Sequence, residues 1–184
     1  MTNVLVTGAT GLVGSNLCKE LVDKGYKVKA FVKTSSDKSF LDTLDIEYAY
    51  GDIRFLDDVS KAMKDIDIVF HCAGHVDILK TFDTEHASVN ILGTKNALKA
   101  AVSNKIKRFI YVSTLGVLGI LKEHYYDRED SPYIKVGHPY FDTKIDAERL
   151  VVNYYNDQNL PVVILRPGLI YGERDRNLLP NMIP

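Results

Sequence analysis

The glycine stretch Thr7-Gly8-Ala9-Thr10-Gly11-Leu12-Val13-Gly14 follows a short apolar run, Val4–Val6, and opens onto apolar residues at helical spacing. The β-branched run is typical of a buried strand, and the spacing after the turn predicts an amphipathic helix. A strand, a glycine turn and a helix N-terminus in this order form the setting in which proteins bind the phosphates of a dinucleotide. The stretch therefore predicts a dinucleotide site, with an ordinary glycine-rich turn as the alternative.

The three glycines of this stretch suit separate tasks. Gly8 allows a sharp turn away from the strand, and Gly11 has no Cβ to hold the backbone away from a pyrophosphate. Gly14 allows the helix to pack closely on the sheet. The unpaired N–H groups and the positive dipole end of the helix would then bind the phosphate charge. The G-x-x-G-x-x-G spacing is one residue wider than the standard G-x-G-x-x-G.

Beyond this stretch, short β-branched runs alternate with helical patterns along the chain. Such alternation is typical of a parallel sheet with helices on both faces. The expected fold is α/β, a doubly wound parallel sheet of the Rossmann type with strand order 3-2-1-4-5-6. The predicted strands are Val4–Thr7, Val28–Lys33, Glu47–Tyr50, Ile68–Cys72, Phe109–Ser113 and Val162–Arg166. The predicted helices are Gly11–Lys24, Asp57–Lys64, Thr84–Asn104 and Tyr140–Asn156.

Composition narrows the functional class. The chain has 23 basic and 24 acidic residues, so its formal net charge of -1 gives no reason to expect a nucleic acid or an anionic membrane as partner. Its two cysteines, Cys18 and Cys72, exclude a disulfide scaffold and suit a reducing compartment. The first residues show no signal-peptide pattern, and no apolar run reaches the roughly 20 residues of a membrane helix. We therefore expect a cytoplasmic protein with a small-molecule substrate.

The end of the second strand normally contacts the adenosine ribose, where a carboxylate favours NAD and a basic residue accommodates the 2′-phosphate of NADP. Lys33 stands at that end, and Asp37 lies farther out. NADP is therefore the preferred cofactor and NAD the alternative, while an ordinary solvated lysine is the simplest other explanation of Lys33. After the third strand, Asp52 is either an acceptor for the adenine amino group or an ordinary turn aspartate.

The end of the fourth strand, His71-Cys72-Ala73-Gly74, has small residues that leave room for a flat ring. His71 and His75 are four residues apart, as in zinc-binding helices. That spacing brings two imidazoles together only on a helix, and this stretch is a strand end. We therefore expect no metal site.

A candidate catalytic pair opens the last long helix. Tyr140 and Lys144 lie one turn apart and share a helix face. An ammonium beside the phenol would lower the pKa of Tyr140 from about 10, and a tyrosine so tuned can exchange a proton with an alcohol or a carbonyl. Ser113 and Thr114 end the fifth strand, at the edge where open α/β sheets bind ligands. A hydroxyl there can hold the substrate oxygen.

In this order, the motifs resemble the extended, epimerase/dehydratase-like branch of the short-chain dehydrogenase/reductase superfamily. The resemblance is carried by Thr7–Gly14, Gly51–Ile53, His71–Gly74, Asn90 with Gly93-Thr94, Tyr111–Thr114, Tyr140–Lys144, Arg166–Gly168 and Tyr171-Gly172. It implies that Thr114 is the catalytic hydroxyl and Tyr140 the acid/base. It also implies that Lys144 binds the nicotinamide ribose and tunes Tyr140.

The resemblance extends the set of expected cofactor contacts. Pro167 and Gly168 would border the nicotinamide, and Asn90 is either a cofactor contact or an amide buried in a helix. The residues expected at the cofactor are Gly8, Thr10, Gly11, Leu12, Val13, Gly14, Lys33, Asp52, Ile53, Cys72, Ala73, Gly74, Asn90, Ser113, Tyr140, Lys144, Pro167 and Gly168.

Departures from the family pattern narrow the chemistry. The 4,6-dehydratases of this branch carry Thr-Asp-Glu in the hydroxyl segment, whereas Leu115 and Gly116 follow Thr114 here, which disfavours dehydratase elimination. Val32-Lys33 resembles the Val-Arg of NADP-dependent reductases, steroid-dehydrogenase-like proteins and some sugar epimerases more than the strand-ending Asp of NAD-type epimerases. The resemblance implies hydride transfer at a secondary alcohol or carbonyl, by a nucleotide-sugar epimerase or a carbonyl or steroid-type reductase. A non-catalytic NADP-binding sensor is the alternative.

Extended members of the superfamily add a C-terminal substrate domain after the Tyr-Gly motif. We therefore expect a Rossmann domain over residues 1–172 and, over 173–184, the start of a substrate-binding region that is largely missing. The irregular stretch Val117–His138 is long enough to form a lid or a binding loop. A homodimer is compatible with the resemblance.

Overall fold

Six parallel strands pair into one sheet within residues 1–76, 84–120, 123 and 125–175, which the computed structural model describes. The strands are β1 (Asn3–Thr7), β2 (Lys27–Val32), β3 (Glu47–Tyr50), β4 (Ile68–His71), β5 (Arg108–Val112) and β6 (Val162–Leu165). Their order in the sheet is β3-β2-β1-β4-β5-β6, which confirms the predicted doubly wound topology.

The helices lie on both faces of this sheet. They are α1 (Leu12–Asp23), α2 (Leu56–Ala62), α3 (Thr94–Ser103) and α4 (Pro139–Gln158). The predicted helix Thr84–Asn104 is helical from its first residue, but its first half, His86–Gly93, is wound as a π-helix before α3 begins. Such wide turns are uncommon and occur often at functional sites.

The core is divided by the sheet into two layers, as alternate residues of the strands point to opposite faces. Val4 and Val6 of β1 pack with Leu21 of α1 on one face. Leu5 packs on the other face with residues of the remaining helices, among them Ala97 of α3. Both faces are covered at the central strand β1, whose residues 4–6 are all apolar, as is usual in parallel strands, whereas Val163 and Leu165 of the edge strand β6 are exposed.

Four predicted strand-end residues lie one position beyond the strands. Lys33, Cys72, Ser113 and Arg166 follow β2, β4, β5 and β6, which end at the preceding residue. They begin the loops at the carboxyl edge of the sheet. The register aligns Thr7 with His71 and His71 with Tyr111, so the ends of β1, β4 and β5 stand side by side.

The order of the strands reverses between β1 and β4, and ligands of open α/β sheets bind outside the carboxyl ends at such a point. Of the predicted loop Val117–His138, residues 121, 122 and 124 lie outside the described part, as do residues 176–184 of the predicted substrate region. Among the described residues, none of the helices combines the length and apolar character needed to cross a bilayer.

Candidate functional site at the carboxyl edge of the sheet

The glycine turn between β1 and α1 is packed against the loop that follows β4. Gly8 has a φ of +65°, which glycine adopts most readily, and a Cβ there would lie 2.7 Å from the backbone of Ala73. A Cβ on Gly14 would overlap the carbonyl of Gly8. Gly14 therefore allows α1 to pack against the turn itself, whereas we predicted close packing against the sheet.

Gly11 faces the open side of the turn. It is exposed and is the N-cap of α1, and a Cβ there would meet only the Gly8 carbonyl oxygen, at 3.3 Å. No side chain caps this helix N-terminus among the described residues, so the first N–H groups of α1 are available to an anion. Thr10, which precedes Gly11, is half-buried. Leu12 and Val13 form the first turn of α1 and are also half-buried. This cradle fits a dinucleotide pyrophosphate.

A chain of hydroxyls and an imidazole lies beneath the turn. His71 is completely buried, its Nδ1 lies 2.8 Å from the Thr7 hydroxyl and its Nε2 lies 3.1 Å from the Thr94 hydroxyl. Burial lowers the pKa of His71 to about 3, with a smaller contribution from the Lys144 ammonium. A neutral ring held by two threonines links the end of β1 to α3. The Thr7 hydroxyl also accepts from the N–H of Ala73, which anchors the loop under Gly8.

The predicted adenosine end is a small charge cluster beyond β2 and β3. The Lys33 ammonium lies 3.6 Å from the Asp52 carboxylate. The guanidinium of Arg54 binds the same carboxylate with two nitrogens, Nε at 3.0 Å from Oδ1 and Nη2 at 2.6 Å from Oδ2. Mainly because of Arg54, the pKa of Asp52 is lowered to about 2. The side chain of Ile53 is buried against Gly93.

Arg54 was absent from the predicted site, although its position two residues after Asp52 was a usable signal. The spacing lets the guanidinium fold back onto the carboxylate. The Asp52 oxygens are therefore occupied by Arg54, and the adenine contact predicted for them competes with this pair.

Asn90 fastens the loop after β4 to the start of α4. Its side-chain oxygen accepts from the N–H of His75 at 2.8 Å, and its amide group donates to the His75 carbonyl at 3.2 Å and to the Thr143 hydroxyl at 3.1 Å. The loop that contains Cys72, Ala73 and Gly74 is thus held in place by the π-helix. These contacts favour the buried-amide interpretation of Asn90 over a direct cofactor contact.

The predicted catalytic hydroxyls meet across the sheet edge. His138 caps α4 by accepting from the N–H of Tyr140 at 3.2 Å, and Pro139 occupies the first helical position, where its missing N–H has no cost. This start sets the Tyr140 side chain near Thr114, close enough for that side chain to affect the pKa of the phenol. Burial raises the pKa of Tyr140, and the contact with Thr114 opposes that rise.

Lys144 does not act on Tyr140 in the way we predicted. Its ammonium donates to the carbonyl of Val112 at 2.7 Å and lies 4.3 Å from the centre of the Tyr111 ring. Burial lowers the pKa of Lys144 to about 8, which Glu148 and Cys72 oppose. The expectation that Lys144 lowers the pKa of Tyr140 is wrong for this arrangement, because the main effect on Tyr140 is burial.

The Ser113 side chain points away from Thr114 and Tyr140, into a buried cluster of polar side chains. It donates to the carboxylate of Glu148, which is fully buried on α4. The same carboxylate accepts from the Tyr133 hydroxyl at 3.0 Å and from the Arg166 guanidinium at 2.9 and 2.7 Å. Glu148 was missed, although it follows Tyr140 and Lys144 at the same four-residue spacing and therefore shares their helix face.

The loop after β6 lies beside Thr114. The carbonyl of Pro167 accepts from the N–H of Leu115 at 2.8 Å, so the predicted nicotinamide border adjoins the predicted catalytic hydroxyl. Gly168 is exposed, and a Cβ there would have no neighbour within 4 Å among the described residues. The carboxyl edge thus brings the glycine turn, the small-residue loop after β4, Thr114, Tyr140 and Lys144 onto one side of the molecule.

Known proteins are similar to this chain along more than nine-tenths of its length. UDP-glucose 4-epimerase of Vibrio cholerae is 34% identical to this chain over 177 residues, which are 92% of this chain and 52% of that protein. Sterol demethylase protein B of Methylococcus capsulatus is 34% identical over 176 residues, 93% of this chain and 52% of that protein. UDP-glucuronic acid 4-epimerase from Bacillus cereus, solved with UDP-glucuronic acid and NAD, superposes with a TM-score of 0.84 at 30% identity, covering 95% of this chain and 59% of that one.

The chain spans about half the length of the curated relatives it matches. The model of the NAD dependent epimerase/dehydratase family matches residues 4–184, which is nearly the whole chain. This match confirms the predicted resemblance, and the chain belongs to the NAD dependent epimerase/dehydratase family.

Proposed function

We propose that this chain is the cofactor-binding and proton-transferring part of an NADP-preferring oxidoreductase that acts on a secondary alcohol or a carbonyl group. The observation that carries the proposal is the position of Tyr140, in the first turn of α4 and near Thr114, at the sheet edge that also bears the glycine turn. On this proposal, residues 1–172 form the cofactor domain and residues 173–184 begin a substrate-binding region.

The cofactor is assigned to the carboxyl edge. The N–H groups of the first turn of α1, at Leu12 and Val13, bind the pyrophosphate, and the small residues after β4 leave room for the flat ring. Lys144, which is oriented by the Val112 carbonyl, binds the nicotinamide ribose. When bound, the nicotinamide supplies or accepts the hydride.

Tyr140 and Thr114 perform the proton transfer. In the reductive direction, the Tyr140 hydroxyl gives its proton to the substrate oxygen as the substrate carbon gains a hydride, and in the oxidative direction it takes that proton back. Thr114 holds the substrate oxygen and, by lowering the pKa of Tyr140, favours the phenolate. The raised pKa of Tyr140 favours the protonated form at neutral pH, which suits a general acid for carbonyl reduction.

The charge cluster beyond β2 supports the preference for NADP. Arg54 binds both oxygens of Asp52, whereas Lys33 only approaches that carboxylate, so the Lys33 ammonium is the group assigned to the 2′-phosphate. Lys33 is the freer of the two, since its ammonium lies 3.6 Å from Asp52 and half of its side chain is exposed.

Calorimetric titration with NADPH and with NADH tests the proposal. We expect tighter binding of NADPH, and a Lys33→Asp change should weaken NADPH selectively by roughly 1–3 kcal/mol, the value of a lost charge-assisted contact. Lys64→Asp, which makes the same charge change at an exposed position after α2, should leave both affinities unchanged. Binding of neither nucleotide would overturn the assignment of the site, and equal affinities would overturn the preference.

The substrate class is divided between two candidates that the relatives represent. The similar proteins include UDP-glucose 4-epimerase and 3-beta-hydroxysteroid dehydrogenase. A metabolite panel on the full-length gene product separates them, because a reductase consumes NADPH in proportion to product and an epimerase returns its hydride to the substrate. Binding of NADPH without turnover of any compound would favour the sensor.

A further inference from the structure

Glu148 is a fully buried carboxylate that joins four parts of the polypeptide. It lies on α4 one turn beyond Lys144, and its two oxygens accept from Ser113, Tyr133 and Arg166. An isolated carboxylate in such a place would be strongly unfavourable, so the paired guanidinium and the two hydroxyls are what make its burial tolerable.

Each partner of Glu148 is attached to a part of the proposed active site. Ser113 precedes Thr114 in the chain, and its N–H also donates to the carbonyl of Leu165 at 2.7 Å. Arg166 precedes Pro167, and its Nη1 donates to the carbonyl of Glu129 at 3.2 Å. Glu148 thus fixes the ends of β5 and β6 against each other.

Tyr133 brings the segment before α4 into the same cluster. Its hydroxyl donates to Glu148, and the neighbouring Ile134 donates from its N–H to the carbonyl of Val117 at 3.0 Å. The segment is therefore attached both to α4 and to the chain just after Thr114.

Glu148 also supplies a charge to the buried Lys144. Its negative charge favours the ammonium form, whereas burial disfavours it. The titratable or charged groups that face Lys144 are Glu148, His71, Cys72 and Tyr111. Those that face Glu148 are Lys144, Tyr111, Tyr133 and Arg166.

We propose that Glu148 is the positioning residue of this active site, which locks the strand end that precedes Thr114, anchors the Tyr133 segment to α4 and keeps Lys144 charged. The inference rests on the proposed function, in which Thr114 and Lys144 contact the substrate and the cofactor. Glu148 acts through these residues and contacts neither ligand.

Amide hydrogen exchange tests the locking. Glu148→Gln keeps the shape of the side chain but leaves Arg166 without its counter-charge. We expect protection of the Ser113 and Leu115 amides to fall roughly 10- to 100-fold. Asp157→Asn, an equal charge change at an exposed position of the same helix, should leave this protection at the wild-type value.

The charge of Lys144 is followed in the same variants by NMR of protein labelled with 13C at lysine Cε, with Lys144→Met identifying the resonance. We expect Glu148→Gln to lower the pKa of Lys144 below the wild-type value of about 8, and Asp157→Asn to leave it unchanged. Wild-type protection together with a wild-type titration in Glu148→Gln would overturn the proposal.

If Glu148→Gln fails to fold, Tyr133→Phe decides the matter. It removes one donor and leaves the carboxylate paired with Arg166, so protection of the Ile134 amide should fall while Lys144 titrates as in the wild type. Unchanged protection there overturns the proposal. Both measurements need no nucleotide, whereas the proposed function stands or falls on NADPH binding by the wild-type chain, so the two failures are distinguishable.

Discussion

The two sides of the site are built in different ways. The glycine turn is formed by consecutive residues, and its shape follows from the absence of side chains at Gly8, Gly11 and Gly14. The catalytic side is formed by polar side chains from separate elements, with Thr114 after β5 and Lys144 on α4. A backbone site is limited by local sterics, whereas a side-chain site depends on which buried partners the fold provides.

Each side also contains a buried base whose pKa is lowered, and the two bases act in different pH ranges. His71, beneath the glycine turn, has a pKa of about 3, and Lys144, on the catalytic side, has a pKa of about 8. Burial is the main cause in both cases. Acid should therefore lower the free energy of unfolding through protonation of the buried His71, whereas alkali should raise it through deprotonation of the buried Lys144.

The largest effect that we expect is on turnover. Tyr140→Phe keeps the ring and removes the proton, so kcat of the full-length gene product should fall by about 10²–10⁴-fold with little change in NADPH affinity. Tyr155→Phe, an exposed tyrosine on the same helix, is the control. A wild-type rate in Tyr140→Phe would show that Tyr140 is not the acid/base residue.

The next largest effect that we expect is the loss of stability in acid caused by the buried His71. The folded-state pKa of about 3 lies below the ordinary 6.5, so the unfolded chain binds a proton between these values and stability falls as the pH drops through this range. Relative to His71→Gln, the wild type should lose about 3 kcal/mol of unfolding free energy between pH 7 and pH 4. Urea titrations at each pH measure the difference, and parallel pH profiles would contradict the buried neutral ring.

Substitutions at Gly14 and Gly11 should separate the effect of the glycine turn on stability from its effect on cofactor binding. Gly14→Ala should cost about 1–3 kcal/mol of unfolding free energy, because its Cβ overlaps the Gly8 carbonyl. Gly11→Ala should change stability by less than about 0.5 kcal/mol and weaken NADPH binding, because its Cβ enters the phosphate cradle. Chemical denaturation and calorimetry on both variants provide the measurements, and NADPH affinity unchanged in Gly11→Ala would show that the cradle is misassigned.

The smallest effect that we expect is the gain of stability in alkali caused by the buried Lys144. Its folded-state pKa of about 8 lies below the ordinary 10.5, so the unfolded chain binds more protons between these values and stability rises with pH there. Relative to Lys144→Met, the wild type should gain about 2 kcal/mol between pH 7 and pH 10. If the two variants keep a constant difference in unfolding free energy, Lys144 is not a desolvated ammonium.

Much of the fold could be predicted because its signals are local. The alternation of strands and helices was sufficient for the order β3-β2-β1-β4-β5-β6, and the glycine turn marked where that order reverses. Strand ends were predicted one residue too long at Lys33, Cys72, Ser113 and Arg166 because pairing depends on the neighbouring strand. The π-helical winding of His86–Gly93 was not foreseen, since its residues have ordinary helical spacing.

By itself, the sequence determined the sheet, the position of the glycine turn and the edge at which Thr114, Tyr140 and Lys144 meet, because periodicity and chain order are sufficient for these. Only the tertiary structure decided which partner each polar side chain takes. Lys144 binds a carbonyl 32 residues away in the chain, and Ser113 binds a carboxylate 35 residues away. Burial and partners that are distant along the chain set the hydrogen-bond strength and the protonation of such groups. The local sequence pattern predicts neither of them.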